Sequence, residues 1–412
     1  MLLEIILFAV IGILAGVFTG LMPGIHTNLV GSVLVASSIT LSGLIQPVYL
    51  IVLIVAMAIT NTFIDFIPSI FLGCPDTETE LSILPGHEML KQGEGYQAIM
   101  LTNYGSIAAI FIVLLITPIA FFFLPQFQEL LLTKIHIPLL SFIPQIPVMA
   151  FLLILVVGAL IFSEKKKSLA LLIFCLTGIL GLIALNLNSL KEPLLPLLSG
   201  LFGASSLITS IKTKPKIPEQ DITSVKLNKK VLLPLIGATI ASPISSLLPG
   251  LGSGQAAVIG SSITKTDQKG FLVLLGATNT LGMSFSFITL YLISRSRTGA
   301  AAAIGNLLGQ FSFQLLVLIL IVTLFSGIIS FFLTEKLARL LSKKISKVNY
   351  SKISWIILAV LTGVIFIISG FLGLIVFAVS TLTGIYCISY DIRRTHMMGC
   401  LLIPTVITYL TL

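Results

Sequence analysis

Gly20-Leu21-Met22-Pro23-Gly24-Ile25-His26-Thr27-Asn28 and Ser246-Leu247-Leu248-Pro249-Gly250-Leu251-Gly252-Ser253-Gly254-Gln255 each set a Pro-Gly pair inside an apolar, charge-free run. Proline lacks the N–H that a helix needs and clashes with the preceding turn, so each pair ends one helix and lets another begin. Carbonyls at the first end and N–H groups at the next start are left without intrahelical partners. In hydrocarbon only protein or a water-lined cavity can satisfy them. What surrounds the two pairs therefore decides the fold.

The surroundings are those of a membrane protein. Of 412 residues 56% are hydrophobic and 9% charged, against about 25% charged in an ordinary soluble protein, and mean hydropathy is +1.12. Crossing roughly 30 Å of hydrocarbon takes about 20 apolar residues. Charge-free runs lie near 5–21, 28–44, 47–72, 97–125, 145–162, 168–187, 192–211, 231–248, 253–264, 270–293, 303–334, 353–369, 371–390 and 397–412. No room remains for a soluble catalytic or nucleic-acid-binding domain. The net charge of +9 reads as basic cytoplasmic loops, not as affinity for nucleic acid. Met1-Leu2-Leu3-Glu4 has no basic region of a signal peptide, so the first run is expected to be a retained helix. Cys74, Cys175, Cys387 and Cys400 lie too far apart for a disulfide framework or a CxxC site and are expected to be small core residues.

Basic islands at Lys165 to Lys167, at Lys212, Lys214, Lys216, Lys226, Lys229 and Lys230, at Lys336 to Lys352, and at Arg393-Arg394 are expected on the cytoplasmic side. Even numbers of runs separate them, which places both termini outside and divides the chain into two odd sets. An odd set inserts its successor upside down, the inverted repeat of secondary transporters. Thr60-Asn61-Thr62 in the first half answers Thr278-Asn279-Thr280 in the second, in the same order relative to the Pro-Gly pairs. The expectation is an all-α polytopic membrane protein of about 14 segments in two inverted-topology repeats, with broken or re-entrant helices at the Pro-Gly motifs. The repeats are 1–211 and 231–412, joined by a polar cytoplasmic linker, 212–230, that holds Pro215 and Pro218.

The candidate binding residues follow from the breaks. Helix N-termini at 26–29 and 252–256 offer backbone N–H groups and the positive end of a dipole, which favours a carboxylate or phosphate. Pro23, Gly24, Thr27 and Asn28 on one side, and Pro249, Gly250, Gly252, Ser253, Gly254 and Gln255 on the other, are the candidates; plain packing kinks are the competing reading. Asp65, four residues beyond Asn61 on the same helix face, is an ionisable group in an apolar run, a place for coupling Na⁺ or H⁺ unless it sits at the membrane interface. Asn61, Thr62, Asn279 and Thr280 either contact substrate or join neighbouring helices. Arg295 and Arg297 follow the tenth run, where a guanidinium, Arg295 first, can clamp an anion or simply be solvated. His26 is either a proton shuttle or a neutral hydrogen-bonding partner. Acids of the 74–96 loop read as a solvated face. No catalytic or metal site is expected, no cofactor beyond the coupling ion, and the absence of GxxxxGK excludes a phosphate loop that would power the chain with ATP.

Gly20-Leu21-Met22-Pro23-Gly24-Ile25, Pro68-Ser69-Ile70-Phe71-Leu72-Gly73-Cys74-Pro75-Asp76, Leu84-Pro85-Gly86-His87-Glu88-Met89-Leu90-Lys91-Gln92-Gly93 and Pro249-Gly250-Leu251-Gly252-Ser253-Gly254 resemble the TctA-type large permease subunit of tripartite tricarboxylate transporters. The similarity is strongest over 12–110 and 240–300. Cys-Pro-Asp stands where Thr-Pro-Gly is commoner, and Asp391 to His396 resembles the shorter, uncharacterised, archaeal-like branch. The resemblance implies a multi-pass permease of a prokaryotic plasma membrane. It implies cation-coupled transport of citrate-like carboxylates, with a small membrane subunit and an extracytoplasmic binding protein. It carries a substrate-path role onto Pro23, Gly24, Pro249 and Gly250.

The residues themselves leave a rival open, a flippase for a polyprenyl-phosphate lipid carrier that uses the same N-termini on its phosphate. A scaffold without transport would leave the matched polar residues without a reason. The partners expected are a small organic anion or lipid phosphate, membrane lipids and, among possible assemblies, a homodimer; nucleic acid is not one.

Overall fold

The computed structural model describes residues 2–22, 45–72, 79–132, 134–136, 145–162, 164–213, 218–223, 225, 232–247, 252–264, 266–307, 311–346, 350–390 and 392–411. In chain order the helices are α1 (Leu2–Leu21), α2 (Pro47–Ile64), α3 (Phe66–Leu72), α4 (Ile83–Lys91), α5 (Gly95–Leu132), α6 (Val148–Phe162), α7 (Lys167–Asn186), α8 (Leu194–Leu198) and α9 (Ser205–Thr213). They continue with α10 (Pro234–Leu247), α11 (Ser253–Thr264), α12 (Gln268–Ile293), α13 (Gly299–Leu307), α14 (Phe313–Ile345), α15 (Tyr350–Ser389) and α16 (Gly399–Thr411). A pair of three-residue antiparallel strands, Lys134–His136 and Gln145–Pro147, is the one β element among the described residues. Seven described helices are long and apolar enough to cross a membrane, so the protein is a helical multi-pass membrane protein.

The chain forms two compact units, and neither follows one half of the sequence. The first takes Met1–Phe121, Lys214–Leu247 and Gly252–Ile353; the second takes Phe122–Thr213 and Ser354–Leu412. Each unit thus draws on both halves.

In the first unit α1 lies along α2 through a glycine stripe. A methyl group on Gly12 would meet Leu53 and Ala56, on Gly16 Met57 and Thr60, and on Gly20 Ile64. Position rises with position, so the two helices are parallel. Small residues at every fourth place let backbones approach where no hydrophobic force separates helix from lipid. The α2–α3 segment is buried from Leu50 to Phe71. Its Ile54, Val55, Ile59 and Phe63 pack in one cluster with Phe287, Ile304 and Ile319 of later helices. The segment breaks at Asp65 because Pro68, four residues after Ile64, has no N–H for the Ile64 carbonyl.

The second Pro-Gly pair lies outside the described residues, but its flanking helices do not. At 1.5 Å per residue α10 and α11 are about 21 and 18 Å long, short of the roughly 30 Å of hydrocarbon. A methyl on Gly237 would fall 2.5 Å from the Gly260 carbonyl oxygen, so α11 folds back along α10. The two short helices form an antiparallel pair. A single run over 303–334 is also corrected. The structure has α13 and α14 there, because Ser312 accepts a hydrogen bond from Leu315 N–H and caps a new helix. An uncharged cap is invisible to a search for charge-free runs. The helix then continues past 334 to Ile345, its charges exposed and partly paired as Glu335–Arg339.

In the second unit α15 is two arms joined at Gly370, whose φ of 67° and ψ of −162° are not helical, as the 369/371 division expects. Both arms pack on one turn of π-helix, Ser199–Ala204. Gly200 meets Phe377 and Ser380, Gly203 faces Leu361, and Ala204 clusters with Ile365 and Phe377. A straight helix could not place Leu361 and Ser380 on the same turn, so the arms fold back on each other. Gly178 and Gly181 of α7 pack on Ile403 and Cys400 of α16. Cys387 and Cys400 are buried as expected, whereas Cys175 is exposed on α7, where an apolar helix surface accommodates it. Cys74 lies outside the described residues.

Candidate functional site

The two Thr-Asn-Thr triplets meet. Thr62 of α2 and Thr280 of α12 share a hydrogen bond of 3.1 Å between hydroxyls. Asn279 Nδ2 donates to Asp65 Oδ2 at 2.9 Å. Asn61 Nδ2 donates to Thr19 Oγ1 of α1 at 3.2 Å, and Ser330 Oγ of α14 donates to Thr60 Oγ1 at 2.9 Å. Four helices thus send polar side chains into one buried centre.

Asp65 sits in that centre at 4% exposure. A carboxylate so enclosed costs several kcal/mol unless it is hydrogen-bonded or holds a cation. The local chain explains its position. Asp65 closes α2 with its N–H donating to the Asn61 carbonyl at 3.0 Å, and its own carbonyl accepts from Ser69 Oγ at 2.8 Å and from Ser69 N–H at 3.4 Å.

The other half of the expected site opens α11. A three-residue connection joins α11 to α12, and Gly260 abuts Leu274. Gly252 N–H donates to Gln255 Oε1 at 2.7 Å, the backward half of a capping box. Gln255 is fully buried, and its Nε2 meets no hydrogen-bond partner among the described residues. Ser253 and Gly254 are also buried in this first turn. A buried amide donor therefore stands at a helix N-terminus.

Arg295 is half-buried in the turn after α12, its N–H donating to the Thr289 carbonyl at 3.4 Å. Pro23, Gly24, His26, Thr27, Asn28, Pro249 and Gly250 lie outside the described residues. Two participants were not singled out by sequence reasoning: Thr19 and Ser330. Thr19 carries a signal, a lone hydroxyl three residues after Gly16 in an apolar helix. Ser330 had none, since serines recur along α14.

A family model described as the tripartite tricarboxylate transporter TctA family matches residues 6–399. An uncharacterised protein of Methanocaldococcus jannaschii is 30% identical over 415 residues, covering 98% of this chain and 99% of its own. No solved structure matches the chain.

Proposed function

Because the chain belongs to the TctA family of tripartite tricarboxylate transporters, a family of membrane transport proteins, we propose that it is a secondary active permease for small organic anions of the carboxylate class. The observation that carries the reading is the buried polar centre of Asp65, Asn279, Thr62 and Thr280, to which the reading adds the buried Gln255 amide at the α11 N-terminus. It supplies both halves of what cation-coupled anion transport needs. Asp65 takes the coupling cation, Na⁺ or H⁺, and is thereby relieved of its buried charge. The α11 N-terminus and the Gln255 amide face the anion. Because the centre is enclosed on every side, substrate reaches it only by alternate opening to the two faces of the membrane.

Two inverted repeats of about seven segments each are the architecture this reading uses. Thr62 and Thr280 are the third residues of their triplets, and contact between equivalent positions is the mark of a two-fold axis. The order of elements agrees. In each half a nine-residue helix, α4 or α13, precedes a long one, α5 or α14. A small membrane subunit and an extracytoplasmic binding protein in the cell membrane complete the assembly.

The test is uptake of radiolabelled citrate and succinate into vesicles holding the purified protein, under imposed Na⁺ and pH gradients. Uptake driven by one gradient is expected, and Asn279→Ala cuts it without loss of folded protein. Unchanged uptake in Asn279→Ala and Asn61→Ala removes the centre from the transport path.

A further inference from the structure

The chain after α12 doubles back. Ser294 caps the helix in the left-handed region, φ 53°, a conformation unfavourable for a residue with a Cβ. That turn sends residues 295–298 back along the helix they have just left. Thr298 ends beside Ser286, with hydroxyls 2.8 Å apart and the Thr298 N–H donating to Ser286 Oγ at 3.1 Å. Thr298 Oγ1 in turn accepts from Ala301 N–H at 3.2 Å and caps α13. The return strand is thereby pinned at both ends of its polar side chains.

Arg297 continues the same path. Its guanidinium lies against Gly282, where a Cβ would fall 2.8 Å from Nη1 and 3.9 Å from Cζ. Asn279, Gly282 and Ser286 are spaced three and four apart and share one face of α12. Along that face the order is Asp65 on Asn279, the Arg297 guanidinium over Gly282, and Thr298 on Ser286. The guanidinium is therefore one helical turn, about 5 Å, from the level of Asn279.

We infer that Arg297, seated in the notch at Gly282, is the cation that receives the carboxylate of the transported anion. This inference rests on the proposed permease function and deepens it by naming the residue and its seat. Guanidinium recognises carboxylate through two parallel N–H···O bonds, which an ammonium cannot copy. Gly282 is required because any side chain there fills the seat. The atom that a methyl would displace is the end of a long flexible side chain, so Gly282→Ala moves the guanidinium and leaves the helix intact.

The experiment is a thermal-shift titration of the full-length protein in detergent with citrate, succinate and inorganic phosphate, each against sodium chloride of equal ionic strength. Citrate or succinate is expected to stabilise the wild type by mass action. Gly282→Ala, Gly282→Ser and Arg297→Gln are expected to weaken the apparent affinity at least about 10-fold, the scale of a lost hydrogen bond to a charged group. Arg297→Lys is expected to fall between wild type and Arg297→Gln, and Arg295→Gln to bind as wild type. Wild-type affinity in both Gly282→Ala and Arg297→Gln overturns the inference while the permease reading stands. If Arg297→Gln does not fold, wild-type affinity in Gly282→Ala and Gly282→Ser, which keep every charge, is sufficient to overturn it. If phosphate stabilises the wild type and neither carboxylate does, the substrate class is wrong and the inference falls with the reading.

Discussion

The α2–α3 segment of the first unit and the α15 arms of the second are both long, strongly apolar stretches, and they meet opposite surroundings. Leu50 to Phe71 is buried within protein. Along α15 large apolar side chains point outward, with Ile367 82% exposed and Trp355, Phe371 and Leu382 alike. A lipid tail and a leucine are equally apolar, so hydropathy cannot tell a helix enclosed by helices from one that faces the bilayer. What separates them is the polar cargo. Thr60, Asn61, Thr62 and Asp65 reach partners on three other helices, whereas Thr362, Thr381 and Thr383 return their hydroxyls to carbonyls four residues back on their own helix. Buried polar groups with distant partners mark a centre; those with local partners mark a wall.

The most damaging change to this contrast is Asp65→Asn, which keeps shape and removes charge. Uptake into vesicles is expected to fall about 10- to 100-fold, matching the ~1.5–3 kcal/mol of a hydrogen bond to a charged group, with little change in melting temperature. A variant that transports normally would make the centre a packing feature like those of α15. Next comes close backbone packing. Gly276 of α12 lies on the Thr102 backbone and Gly105 on that of Val273, with Ser106 Oγ donating to the Gly276 carbonyl at 3.1 Å. Gly276→Val is expected to cost about 1–3 kcal/mol or more by overpacking, read as a lower melting temperature. Gly363 of α15 has nothing within 4 Å of a prospective Cβ. Gly363→Ala is expected to leave stability equal or raise it by up to ~1 kcal/mol through helix propensity. Equal effects at Gly276 and Gly363 would erase the distinction between core and wall.

The second unit has its own buried ionisable pair, and it sharpens the comparison through pH. His396 Nε2, in the 3₁₀ turn Arg394–Met398 that leads into α16, lies 3.2 Å from Glu164 Oε2, with Arg393 Nε 3.5 Å from the same oxygen. Burial holds the imidazole below its usual 6.5, although Glu164 pulls the other way. The unfolded chain therefore binds a proton that the folded chain resists, so stability is full above pH 6.5 and declines as the pH falls below it. Wild type is expected to lose more melting temperature than His396→Asn between pH 7.5 and 5.5, by a few degrees at most. Parallel curves for the two would place the acid sensitivity elsewhere. This pair fastens the turn before α16 to the segment before α7.

Composition alone determined that this is a helical membrane protein, and the Pro-Gly pairs and matched triplets marked where it departs from simple spans. Asp65 was legible as an anomaly, because a carboxylate in an apolar run has no cheap place to stand. The meeting of Thr62 with Thr280 and of Asp65 with Asn279 joins residues more than 200 apart, and no local pattern encodes such a contact. Choosing Arg297 depended on a left-handed residue at Ser294 and a notch at Gly282. Pairing α10 and α11 antiparallel depended on Gly237 meeting Gly260. Local sequence sets what each segment must bury and where a helix has to stop. Which neighbour does the burying, lipid or protein, is a matter of shape and reach between distant side chains, and only the tertiary structure decided it.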